Sequence, residues 1–170
     1  MKHIFYVLLA AFVLTSCQQQ KIGYIDNGTV INDYQAKKDI EAKFQTKEKA
    51  FAQKYDSIDK AFQLEVQKFQ LAANKMSQSK AQERYQELGQ QKQINDQQRQ
   101  AEAQQLTQAF QNEIDTLIIE VKDFVKDYGK KNGYNFILGT SDGASSVLYG
   151  KDETDLTKTI LEALNAEYKK

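Results

Sequence analysis

Residues 44–76 read FQTKEKAFAQKYDSIDKAFQLEVQKFQLAANKM and residues 110–128 read FQNEIDTLIIEVKDFVKDY. In the first run Phe44, Phe51 and Ile58 stand seven residues apart, and Tyr55, Phe62, Phe69 and Met76 form a second row of the same period interleaved with it. In the second run Phe110, Ile114, Leu117, Val121, Phe124 and Tyr128 step 4-3-4-3-4. Both patterns are the heptad stripe of a helix that buries one seam. Between them the stripe is weaker, at Tyr85, Leu88, Ile94 and Leu106. From Ala36 to Tyr128 there is no proline and one glycine, Gly89, so nothing forces a helix to stop.

A single reversal near Gln78, within the polar run Ser77-Gln78-Ser79, sets Met76 against Ala81, Phe69 against Leu88, Phe62 against Ile94, Phe51 against Leu106 and Phe44 against Ile114. One fold point that pairs both stripes predicts an antiparallel helical hairpin arm over 36–128 with its tip near 77–80. Each leg would be roughly 60 Å long at the helical rise of about 1.5 Å per residue. Glu65 falls in the seam and Ile94 is the only larger apolar side chain between Leu88 and Leu106. The distal half of the arm is therefore expected to be looser than its base.

Outside the arm the chain is short. Met1-Lys2-His3 followed by the apolar run from Ile4 to Leu14 has the charged start and brief greasy core of an export signal over 1–16, too short for the ~20 residues that span a bilayer. It ends in Leu14-Thr15-Ser16-Cys17, which resembles the lipobox of bacterial lipoproteins, where cleavage precedes the cysteine and the thiol is acylated. Cys17 is thus the expected lipidation site and 17–20 a tether; the alternative is an ordinary signal with an incidental cysteine. No second cysteine exists to form an internal disulfide.

Lys21-Ile22-Gly23-Tyr24-Ile25 alternates as a strand and closes at Asp26-Asn27-Gly28, after which Thr29 is placed to cap a brief helix carrying Val30, Ile31 and Tyr34. After the arm, Lys130-Lys131-Asn132-Gly133 is a helix stop with cations at the negative terminus. Tyr134 to Gly139 and Ser146 to Gly150 read as two strands of a hairpin joined over 140–145, and Thr154 or Asp155 as the cap of a last helix with Leu156, Ile160, Leu161 and Leu164 on one face. The fold class is α+β, mostly α: a small β body from 21–35 and 129–170 carrying a long helical hairpin. So small a body barely buries enough apolar surface to offset chain entropy, so self-association through its sheets is expected.

In this order of elements the chain resembles the Skp/OmpH family of periplasmic chaperones. The resemblance rests on Lys21-Ile22-Gly23-Tyr24-Ile25-Asp26, on the polar hairpin, and on Gly133-Tyr134-Asn135-Phe136-Ile137-Leu138 followed by Val147-Leu148-Tyr149 and Asp155-Leu156-Thr157. It implies a homotrimer whose strands form a central barrel and whose arms enclose a cavity holding unfolded outer-membrane proteins without ATP. Two features depart from the best-known members, which are strongly basic and soluble: Lys and Arg here balance Asp and Glu at 23 each, and an anchor residue is present.

Other classes have little to work with. The single histidine, His3, leaves with the signal, and Cys17 is blocked if acylated. Asp152, Glu153 and Asp155 are explained by capping, and the Asn27-Gly28-Thr29 turn by chain reversal rather than a phosphate cradle. No catalytic residue, metal site or cofactor is expected, and the neutral charge and export signal oppose nucleic-acid binding. Candidate client contacts are the apolar residues off the seam, Leu64, Val66 and Leu71, flanked by Lys60, Lys68 and Lys75, with glutamines adding hydrogen bonds. The competing reading is a lipid-anchored coiled-coil spacer or adaptor of the envelope, whose seam should stay continuous to the tip.

Overall fold

The computed structural model describes residues 20–141, 143–144 and 146–169, so Cys17 and the export segment lie outside the described residues. The chain divides into two compact units, one made of residues up to Gln35 with those from Ile119 onward, the other Ala36–Ile118.

The first unit is built on β1 (Ile22–Asp26), which pairs with β2 (Phe136–Thr140) in parallel, from Ile22 beside Phe136 to Asp26 beside Thr140. Parallel strands need a crossover connection, and here the crossover carries the whole arm. A two-way clamp starts the ladder: Lys21 N donates to Asn135 Oδ1 at 2.9 Å and Asn135 N donates to Lys21 O at 2.8 Å. The expected hairpin between Tyr134–Gly139 and Ser146–Gly150 does not form. Ser146–Gly150 is not a strand, and Leu148 and Tyr149 stand 92% and 85% exposed. The chain returns instead to the other side of β1, where Asp155 bridges to Tyr24 and Leu156 N donates to Tyr24 O at 2.8 Å. Gly150 permits that path, because any Cβ there would collide with the Tyr24 ring.

Two short helices complete the body. Asp26, not Thr29, caps α1 (Asn27–Asp33), accepting from Thr29 N at 2.8 Å. A 3-10 turn (Asp152–Thr154) leads into α4 (Thr157–Tyr168), whose first amide, Thr157 N, donates to Asp155 Oδ1 at 2.8 Å. Val30 and Ile160 are fully buried, with Ile25, Tyr34, Val121, Leu156 and Leu164 around them. Polar ties fix α4 to this core: Asp26 N donates to Thr157 Oγ1, and Gln35 N to Asn165 Oδ1, both at 2.9 Å.

The second unit holds most of two long helices, α2 (Gln35–Ala73, 39 residues) and α3 (Gln78–Lys131, 54 residues). The chain reverses through Asn74–Ser77, and Gln78, Ser79 and Lys80 already belong to α3, with Ser77 Oγ accepting from Lys80 N at 3.4 Å. At its other end α3 stops at Gly133, whose φ of 70° is the left-handed conformation a side chain would strain. In the seam Phe44, Tyr55, Leu88 and Leu117 are buried, and the Phe44 ring meets Phe110 edge-on at 5.2 Å. Phe51, Ile58, Phe62 and Phe69 are half-buried, whereas Met76, Tyr85 and Ile94 are exposed. Among the described residues no helix is long and apolar enough to cross a membrane.

Removing the buried Ile160 side chain by Ile160→Ala should cost ~2–5 kcal/mol in denaturant unfolding. Leu71→Ala, at a site 81% exposed, should stay within about 0.5 kcal/mol; equal losses would mean that the core has been misplaced.

Candidate functional site

Helical geometry sorts the six candidate contact residues into one surface and one outlier. Lys60, Leu64, Lys68, Leu71 and Lys75 follow one another at spacings of 4, 4, 3 and 4. The first four share one face of α2, and Lys75 continues the row into the tip turn. Leu64 is 56% exposed and Leu71 81%, so the stripe presents apolar side chains to solvent between ammonium groups. Val66 lies on the opposite side of the helix and is half-buried. Lys60 Nζ reaches Asp56 Oδ2 at 2.7 Å, an exposed pair worth little.

On the facing helix Tyr85 is 71% exposed and Ile94 47%, although their spacing suggested a weak seam. The seam there is occupied by other residues: Arg84, Leu88, Asn95, Arg99, Glu102, Ala103 and Leu106 are half-buried or buried. Several glutamines of α3 are already engaged within the helix, Gln91 with Asn95 at 2.9 Å, and Gln108 with Asn112 and Gln111 with Asp115 at 2.8 Å.

A polar clasp replaces the apolar seam in mid-arm. The Tyr55 ring is buried, and its hydroxyl donates to Glu102 Oε2 at 2.8 Å while Lys54 Nζ donates to the same oxygen at 2.6 Å. Next to it Arg99 Nη2 donates to Asp59 Oδ2 at 2.6 Å, and the guanidinium carbon lies 5.0 Å from the centre of the Tyr55 ring. The bond from Lys54, then that from Tyr55, holds the Glu102 carboxyl below its usual range. Burial first, and the bond to Glu102 second, raise the Tyr55 hydroxyl. The Asp59 bond raises Arg99 and the Glu102 bond raises Lys54, so both cations of the clasp keep their charge through neutral pH. Sequence reasoning missed this cluster because it followed apolar spacing; Asp59 opposite Arg99, and Tyr55 opposite Glu102, are the signal that the same register contained. Among the described residues no group of carboxylates is arranged to hold a metal ion.

With this geometry in view, a family model described as outer membrane protein (OmpH-like) matches residues 21–164. The chain belongs to the OmpH-like family. It is 26% identical over 164 residues to a protein named Chaperone protein Skp from Vibrio cholerae serotype O1, a match covering 93% of this chain and 92% of that one. A crystal structure described as that of an OmpH-like outer membrane chaperone from Caulobacter crescentus superposes with a TM-score of 0.77 over 89% of this chain and 88% of that one. At 12% identity it shows the shared fold.

In this OmpH-like arm the clasp should make stability fall in acid. Glu102 is depressed in the folded chain, so its stabilisation is complete above the unfolded glutamate value of about 4.3 and is lost as pH falls through the lower folded value. Glu102→Gln should lower the thermal midpoint at neutral pH and flatten the acid limb of its pH dependence, read by circular dichroism. An unchanged acid limb in the variant would remove Glu102 from the clasp's energetics.

Proposed function

We propose that this chain is an ATP-independent holdase for unfolded exported proteins, chiefly outer-membrane β-barrels. The observation that carries the reading is the exposed Lys60-Leu64-Lys68-Leu71-Lys75 stripe on the arm. The fold leaves these two leucines uncovered, and an unfolded β-barrel strand offers alternating apolar side chains and unpaired backbone that aggregate unless covered. Such a stripe gives weak contacts, which become useful when several copies act together. Membership of the OmpH-like family, and a relative named as a chaperone, support the same conclusion.

The active form is a homotrimer assembled through the body. Support comes from the apolar side chains the body leaves in solvent: Ile22 at 43%, Phe136 at 55%, Leu138 at 41%, and Leu148 and Tyr149 in the segment after β2. β2 pairs with β1 along one edge only, and an unpaired edge beside exposed aromatics is where another copy gains hydrogen bonds and burial together. The chain works in the periplasm, held to a membrane by acyl groups on Cys17. Against an envelope spacer stands the arm seam, where Arg84, Asn95, Arg99 and Glu102 interrupt the apolar contact a rigid rod needs.

The test uses the Cys17→Ser chain, which lacks the acyl acceptor, added during dilution of a urea-unfolded β-barrel protein. Stoichiometric trimer should suppress light scattering. Leu64→Ser or Leu71→Ser alone should weaken suppression by less than about threefold, and both together by about tenfold with the trimer intact, because many weak contacts share the affinity. No suppression, together with tight binding to one folded envelope protein, would favour the adaptor.

For the anchor, intact mass of the membrane-extracted wild-type protein should show acyl chains on a terminus at Cys17. Unchanged membrane partitioning of Cys17→Ser would refute that.

A further inference from the structure

The last turns of α3, within the body unit, carry an unusual arrangement of charge. Elsewhere the long helices set opposite charges a turn apart, as in Lys37–Glu41 at 2.8 Å, Lys60–Asp56 at 2.7 Å and Lys92–Asp96. Here two like-charged rows run side by side: Lys122, Lys126 and Lys130 follow at intervals of four, and Glu120, Asp123 and Asp127 at three and four. All six are exposed, and among the described residues the ion pair between the two rows is Lys130–Asp127, at 3.7 Å. Like charges at these spacings repel along a helix, and beyond the Lys130–Asp127 pair the further cation beside the acids is Lys131.

Each row borders its own apolar groove. The lysines rim a groove of about 490 Å³ whose floor includes Ile25, Val121, Val125 and Ile137. The acids, joined by Glu167, rim a groove of about 690 Å³ floored by Phe124, Tyr128, Leu164 and Tyr34, with Lys131 the one cation among the described residues that line it. A single chain therefore holds a basic apolar face and an acidic apolar face on two sides of one helix. Complementary faces on the same molecule join head to tail, and such contacts close into a ring when the rotation between copies permits.

We infer that the lysine row Lys122-Lys126-Lys130 of one copy docks against the acidic row Glu120-Asp123-Asp127 of the next, so that these two grooves form the polar half of the contact between copies of this chain. The inference rests on the homotrimer reading above and goes beyond it by assigning a charged, directional contact on α3, beside β2 and apart from Leu148 and Tyr149. The occupant is a second copy because the complement of each face is present on the chain itself, in matching charge and on the same stretch of helix.

The test measures oligomer mass against concentration by analytical ultracentrifugation on the Cys17→Ser chain, with circular dichroism as the check on folding. Three chains are compared with it: Lys122→Glu, Lys126→Glu and Lys130→Glu together; Glu120→Lys, Asp123→Lys and Asp127→Lys together; and all six combined. Each single-row reversal should raise the concentration for half-dissociation at least about tenfold, and the combined swap should recover most of that loss, because it restores opposite charges across the contact. Should a reversed chain misfold, Lys122→Gln, Lys126→Gln and Lys130→Gln together, and a salt series on the parent chain, give the same reading: weaker association in both. An oligomer indifferent to row reversal and to salt overturns this contact while leaving the trimer in place. So does an unchanged oligomer whose client retention alone falls, which would make the rows a client surface. A parent chain that is monomeric overturns both this contact and the trimer.

Discussion

Two five-residue strands, held parallel from Ile22–Phe136 to Asp26–Thr140, are the constraint on which the body depends. They come from distant parts of the chain, and the arm lies in the connection between them. Closing so long a connection costs less than its length suggests, since loop entropy rises only with the logarithm of length. The helical hairpin lowers the cost further, because its own contacts are local to one reversal at Asn74–Ser77. The Lys21–Asn135 clamp then fixes the register at the first residue pair, and a slip by one would turn Ile25 from the core into solvent. Two strands are too few for independent stability, and the body meets that need with α1 and α4, which bury Val30 and Ile160 completely.

The arm solves a different problem. A long hairpin with an unbroken apolar seam would be stiff and would leave little reason for apolar side chains on its outside. In this arm the mid-seam contacts are Tyr55 with Glu102 and Asp59 with Arg99, which tie the two helices together at one register through directional bonds. A partly solvated ion pair adds little net stability, but a mismatched register would leave these charges unpaired, so the clasp selects alignment more than it adds strength. Tyr85, Met76 and Ile94 are then free of the seam and stand in solvent beyond it.

The hairpin was legible in the sequence because both heptad runs and their common fold point agree, and the helix stop because Asn132-Gly133 has one backbone meaning. Strand partners were not legible. Tyr134–Gly139 alternates well enough for either neighbour, and alternation does not distinguish a parallel partner far back in the chain from an antiparallel one close by. What decided between them lies in three dimensions: the Asn135 amide on Lys21, and Gly150 passing the Tyr24 ring. Of the three apolar residues that off-seam spacing picked, Leu64 and Leu71 are exposed, while Val66, two residues from Leu64, turns to the far side of the helix, a distinction that depends on tracking the angle rather than the distance from the seam. In the return helix the apolar count misled at Tyr85 and Ile94 because charged residues occupy the seam there.

A surface meant to hold sticky chains must not hold copies of itself. Two identical leucine stripes meeting face to face would bury Leu64 and Leu71, and burial of that kind favours association. Lys60, Lys68 and Lys75 oppose it, since each would face its own counterpart across the contact, and like charges brought together are disfavoured strongly enough to reject a partner that shape alone would accept. Under the proposed function, an unfolded β-barrel strand would bring alternating side chains without that fixed array of ammonium groups, and would meet the same leucines without the repulsion. The balance of 23 acids against 23 bases hides this local order. Charge is neutral over the whole chain and segregated locally, with lysines between the leucines of the arm and opposed rows on α3 in the body. On this reading net charge is a poor guide to electrostatic function here, because what discriminates a client from a second arm is the spacing of a few like charges along one helical face.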